Sequence, residues 1–200
     1  MLTASAGSSW LWSTNATTQA ITVSTAGSYT VQVTSANSCT ATAGPVNVTV
    51  NSRPTASPTP PSPAVCVGST VMVNGNPTAG AGTITTHAWT NLGTGTATGV
   101  SLTNASTQTV SVSATGAGTV NLRYQVTDNN GCTGTANVTV TINANPTAAP
   151  AAASMCTGST VNVNGNPSGG SGTYTTHAWT NLGTGTATGV NLTNRSERAV

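Results

Sequence analysis

Apolar and polar residues alternate with a period of two along much of the chain. Val71 and Val73 alternate with Thr70, Met72 and Asn74, and Val120, Leu122, Tyr124 and Val126 alternate with Asn121, Arg123 and Gln125. That pattern puts the apolar side chains on one face of a half-buried antiparallel strand. Val110 and Val112 mark another strand, as do Val138, Val140 and Ile142 set against Thr139 and Thr141. No segment carries helical periodicity, and the β-branched Val and Thr favour pleated sheet. Turn chemistry falls where strands should end, at Asn74-Gly75-Asn76-Pro77, Thr78 to Gly82, Gly93-Thr94-Gly95 and Asn129-Asn130-Gly131. About seven short strands per module follow. An all-β antiparallel β-sandwich with Greek-key connections is the economical solution.

A repeat organises these strands. Residues 64–104 and 154–194 are two copies of one segment, with Cys66 matching Cys156 and Trp89 matching Trp179 at a period of 90 residues. That period suits one small sandwich per repeat. Met72 becomes Asn162 and Ile84 becomes Tyr174 in the second copy, as outward positions permit. The second copy reaches Val200, level with Val110 of the first. Near the start, Thr14 to Gln19 parallels Thr103 to Gln108, and Val33 to Cys39 parallels Val126 to Cys132.

The expected layout is therefore the C-terminal part of a module at 1–50, a Pro-rich linker at 51–62, a complete module at 63–145, a linker at 146–153 and an N-terminal half-module at 154–200. The first and last are truncated, and each is expected to expose core side chains for want of a sheet partner. Arg53 to Pro63 carries five prolines, which favour an extended, semi-rigid chain. Arg195 to Val200 holds three of the six charges in the chain, a change from the first copy for which the sequence offers no physical account.

Composition narrows the setting. Charged residues make up 3% of the chain and there is no Phe, while Thr, Ser, Asn, Gly, Ala and Val abound. Solubility then rests on hydroxyls and amides, which points to an extracellular or cell-surface protein. Four arginines against Asp128 and Glu197 give a net charge of +2, too sparse for a phosphate-binding footprint, so nucleic acid is not an expected partner. No apolar run reaches the roughly 18 residues that span a bilayer, and no membrane insertion is expected of this segment. Signal and sorting segments are expected on other parts of a longer polypeptide, of which this is a monomeric stretch.

The phrases Cys66-Val67-Gly68-Ser69-Thr70-Val71, Gly116-Ala117-Gly118-Thr119-Val120-Asn121-Leu122 and Tyr124-Gln125-Val126-Thr127-Asp128-Asn129-Asn130-Gly131-Cys132 resemble the PKD and bacterial immunoglobulin-like repeats of large secreted or surface proteins. Trp10 to Gln19 and Ala26 to Val31 are similar to the short immunoglobulin-like repeats of such proteins. One departure is that Trp89 is followed by Thr90-Asn91-Leu92-Gly93 and not by the usual Trp, Gly, Asp, Gly run. The resemblance implies tandem immunoglobulin-like modules acting as spacers or adhesive units, with a cell-surface polysaccharide or a neighbouring surface protein as partner. The alternative is a carbohydrate-binding accessory of a secreted glycan-degrading enzyme.

Few residues carry chemistry. Within the complete module Cys66 and Cys132 are the expected disulfide, closing a loop of roughly 66 residues worth about 4 kcal/mol by chain entropy, with Cys39 and Cys156 unpaired. Four free thiols are the alternative, and no cysteine pair has the short spacing of a structural zinc site. His87 and His177, each two residues before a Trp, read as structural, because Asp128 is the complete module's sole carboxylate and lies some forty residues away. Asp128 and Asn130 form a weak calcium candidate, with one carboxylate for charge and a hairpin turn as the simpler reading. Trp10 and Trp12, on one strand face, are the candidate sugar-stacking pair, while Trp89, mid-strand, reads as core. No catalytic residue and no cofactor site is identified, and the chain is expected not to be an enzyme.

Overall fold

The computed structural model describes residues 1–193 and the backbone of 196–198; Arg195 and Val200, to which the second copy extends, lie outside the described residues. Every regular element among them is a strand. The chain divides into two compact units, one made of Met1–Thr55, Thr78–Thr85 and Thr127–Gly134, the other of Ala56–Pro77, Thr86–Val126 and Thr135–Val200.

The first unit contains β1 (Leu2–Thr3), β2 (Ser9–Trp12), β3 (Ala20–Ile21), β4 (Gly27–Thr34) and β5 (Thr40–Val48). β1 pairs with β3, and β2, β4 and β5 form an antiparallel sheet in that order. Ala4, Trp12, Ile21, Tyr29 and Val31 close a core, with Leu2, Trp10, Ala16, Val23, Val33 and Val48 packed against it. The expectation that this segment exposes its core is thereby corrected, because the two indole-bearing positions of β2 and the alternating residues of β4 supply enough apolar area to bury one another.

The sandwich begins before its alternating strands. In chain order it comprises β6 (Thr55–Ala56), β7 (Ala64–Cys66), β8 (Thr70–Asn74), β9 (Pro77–Thr78), β10 (Ile84–Asn91), β11 (Ser101–Thr103), β12 (Thr109–Ser113), β13 (Gly118–Asp128) and β14 (Thr133–Asn143). One sheet runs β10-β13-β14-β7 and the other β11-β12-β8, while β6 pairs with β9. The Pro-rich segment is thus tied down, with Thr59 bridging Asn74 as well. β7 joins β14 in parallel, Ala64 opposite Thr141; three residues are too short to show that pairing in the sequence.

Alternation becomes burial as expected. Val73, Val110, Val112, Val120, Leu122, Tyr124, Val126, Val140 and Ile142 are almost wholly buried, and Met72 is 63% exposed. Ile84, expected to face outward, is instead half-buried. Each inward aliphatic side chain contributes about 1.5–3 kcal/mol through burial.

Strands β7, β8, β10 and β11 all take their ladder partners from β12, β13 and β14. The second copy is paired differently among the described residues. It carries β15 (Pro146–Ala148) paired with β16 (Pro167–Gly169), repeating β6 with β9, and β17 (Thr176–Ala178) paired with β18 (Ser196–Arg198). Residues 156–166, nearly identical to residues 66–76 that hold the end of β7 and all of β8, form no strand, and Val161 and Val163 are 40% and 43% exposed.

Equivalent valines should therefore respond differently. Val73→Ala is expected to cost about 2 kcal/mol in urea unfolding monitored by circular dichroism, whereas Val163→Ala should stay within about 0.5 kcal/mol.

Candidate functional site

The groups able to do chemistry gather at two places, one in each compact unit. At the first, β13 ends in Asp128, which is 2% exposed. Its Oδ1 accepts the backbone N–H of Asn130 at 2.9 Å and of Cys132 at 2.8 Å. The Gly131 N–H donates to the Asp128 carbonyl and the Asp128 N–H to the Cys132 carbonyl, both at 3.0 Å, and Gly131 takes φ 76°, where a side chain would be strained. Asn129 exchanges backbone contact with Thr83, whose N–H also donates to Asn129 Oδ1 at 3.0 Å. The weak calcium candidate thus sits in a tight hairpin turn, with Asn129 and Asn130 exposed. Asp128 Oδ2 is buried and has no protein donor.

At the second place, Tyr124 from β13 is wholly buried and hydrogen-bonds through its hydroxyl to Nδ1 of His87 on β10. The Trp89 ring lies against Tyr124 with centroids 4.6 Å apart, and Trp89 is 5% exposed. Gly75 leaves room for this ring, since a Cβ there would overlap Tyr124. Burial raises the Tyr124 pKa above its ordinary value of 10.0, because ionisation would place charge in an apolar site. His87 therefore satisfies a core phenol, the structural role read for it, and Asp128 spends Oδ1 on its own turn. The His87–Tyr124 pair itself was not visible in sequence, since 37 residues separate the partners and only strand register unites them.

Two sequence expectations are corrected. Trp12 is 4% exposed, belongs to the core of the first unit and donates Nε1–H to the Thr18 carbonyl at 2.9 Å, so it offers no face to a sugar. Trp10 is half-buried against the same core, with its Nε1–H on the Ser5 carbonyl at 3.0 Å. The Cys66–Cys132 disulfide is not made; all four cysteines are free thiols. Cys66 lies opposite Asn143 at one end of β14, while Cys132 precedes Thr133 at the other end. A strand of that length spans about 35 Å, whereas disulfide-linked Cα atoms stand roughly 4–7 Å apart. Trp89 lies in the core, as read.

Residues 63–142 match the family described as "K319L-like, PKD domain". No curated protein matches the chain. Among solved structures, the chain is similar to a nucleoside hydrolase-related hypothetical protein from Saccharophagus degradans that is associated with carbohydrate metabolism, at 18% identity and TM-score 0.40 over 48% of this chain. The match spans only 26% of that protein's chain. The PKD domain from KIAA 1837 protein is similar at 18% identity and TM-score 0.37, over 48% of this chain and 91% of that one. Domains 4 and 5 of the S-layer protein SbsC are similar at 21% identity and TM-score 0.32, over 58% of each chain.

Two measurements follow from the buried aromatic pair. Tyr124 ionises near pH 10 in the unfolded chain, before it does in the folded one. The stabilisation is thus whole below that pH and is lost as pH rises through the raised value. The urea midpoint of the unmodified protein should fall as pH rises above about 10, and Tyr124→Phe should flatten that fall. Separately, Gly75→Ala should cost about 1–3 kcal/mol by overpacking against Tyr124. Gly165→Ala, where a Cβ meets Trp179 at an ordinary 3.7 Å, should be near neutral.

Proposed function

We propose, from the premise that residues 63–142 are a PKD-like module of the immunoglobulin type, that this chain is a non-catalytic repeat region of a secreted or cell-surface protein. It acts as a spacer that also makes weak contacts with cell-surface polysaccharide or a neighbouring surface protein. The observation that supports this most directly is where the reactive side chains go. Tyr124 and Trp89 are withdrawn into the core and Asp128 into a turn, while His87 spends Nδ1 on the Tyr124 hydroxyl. What faces outward is a hydroxyl- and amide-rich surface in a chain with 3% charged residues.

Such a surface suits many weak polar contacts better than one strong site, and copy number would supply the strength. Linking binding modules raises avidity by roughly 10²–10⁴ without any new contact. PKD-type modules are typically non-catalytic, and a mechanism of this kind is geometric: each module adds length, and strands such as Thr55–Ala56 and Pro146–Ala148 anchor the proline-bearing segments between repeats.

Binding of the full chain to a broad glycan array and to intact surface polysaccharide tests this, once as a soluble monomer and once displayed at high density on beads. Retention of the beads with no saturable monomer binding is the expected result. Saturable, sugar-specific binding by the monomer that Trp10→Ala abolishes would replace the spacer reading with the carbohydrate-binding one.

A further inference from the structure

We propose that Gly82 and the Asp128-Asn129-Asn130 turn form a weak binding site for a divalent cation of the calcium type. The first observation is the buried carboxylate. Asp128 is 2% exposed, its Oδ1 takes the N–H groups of Asn130 and Cys132, and its Oδ2 has no protein donor. A buried anionic oxygen without a partner is costly, and sites that retain one usually hold a compensating group.

The second observation is an internal control for the turn. Ser35 to Cys39 aligns with Asp128 to Cys132 and folds in the same way. The Ser35 N–H donates to the Cys39 carbonyl, the Ser38 N–H to the Ser35 carbonyl, and the Cys39 N–H to Ser35 Oγ at 3.2 Å. Ser38 takes φ 62° where Gly131 takes 76°. One acceptor oxygen therefore suffices to build this turn. The second oxygen of Asp128 is surplus to it, and the surplus oxygen is the one that is buried and unpartnered.

The third observation is what this oxygen faces. A Cβ placed on Gly82 would meet Asn129 Oδ1, Asn130 Nδ2 at 2.7 Å and Asp128 Oδ2 at 2.9 Å. Three side chains from one turn converge over a residue that has none. Two of the three atoms are acceptors, and rotating the Asn130 amide by half a turn presents a third oxygen. With the Asn130 amide turned so, three oxygens converge and make a spot that attracts positive charge. Carboxylate and amide oxygens are the ligands calcium takes, and the exposed side of Asn129 and Asn130 leaves room for waters to complete its shell. A single carboxylate limits the affinity to the range of extracellular modules, on the order of 10⁻⁴–10⁻³ M.

The test is a calcium chloride titration of the full chain to about 10 mM, read by backbone amide NMR shifts, with sodium chloride at matched ionic strength as control. Saturable shifts at Gly82, Asn129 and Asn130 are expected. Asp128→Ser should abolish them while the turn survives, as the Ser35 turn does, and Gly82→Ala should weaken binding at least about tenfold by pushing the Asn129, Asn130 and Asp128 side chains apart. Absence of saturable shifts in the folded protein, identical shifts with sodium chloride, or an unchanged response in Asp128→Ser would each overturn the proposal.

Discussion

Cross-pairing between the two halves of the sandwich is the constraint on which the rest depends. β7, β8, β10 and β11 find their ladder partners among β12, β13 and β14. A strand's backbone groups need a partner or water, and its inward side chains need an opposing face. The chain runs this experiment on itself, because nearly the same residues occur again 90 positions later. Around Val71 and Val73 they form β8, with Val73 buried, whereas around Val161 and Val163 they form no strand and stay exposed. Propensity is the same in both places, so local sequence alone does not make the strand.

The core that this pairing closes is unusual in what fills it. With no Phe in the chain, large volume comes from Tyr124 and Trp89, and each brings a polar atom that must be accommodated. Tyr124 solves this through His87, one strand away, whereas Trp89 Nε1 has no hydrogen-bond partner among the described residues. Gly75 is part of the same solution, since the ring needs the space a Cβ would occupy. A histidine that looks available for chemistry in sequence is in this way a packing accessory to a phenol.

Much of the fold was legible in the sequence because a sandwich strand writes its burial as alternation. The inward residues of β12, β13 and β14 were all readable from that pattern, and so were the turns at Gly75 and Gly131. What stayed hidden depended on register between distant segments. The parallel docking of β7 on β14, the His87–Tyr124 bond and the convergence of Gly82 on the Asp128 turn all join residues that sequence spacing does not relate. The disulfide expectation failed for the same reason. Two cysteines flanking one domain look like natural partners, yet β14 holds Cys66 and Cys132 at its opposite ends.

The two aligned turns show how a structural position can carry more than structure requires. Ser35 and Asp128 each fix a hairpin by accepting the N–H of a cysteine four residues on. A hydroxyl meets that demand with one oxygen and remains exposed; a carboxylate meets it and leaves a second, charged oxygen inside the protein. Burying that charge opposes folding unless something positive or proton-donating answers it. In a chain with two acidic residues in all, Asp128 stands where the fold needs merely an acceptor. The excess is therefore a property of the site, and the exposed amides of Asn129 and Asn130 beside it are the side chains within reach of an answer.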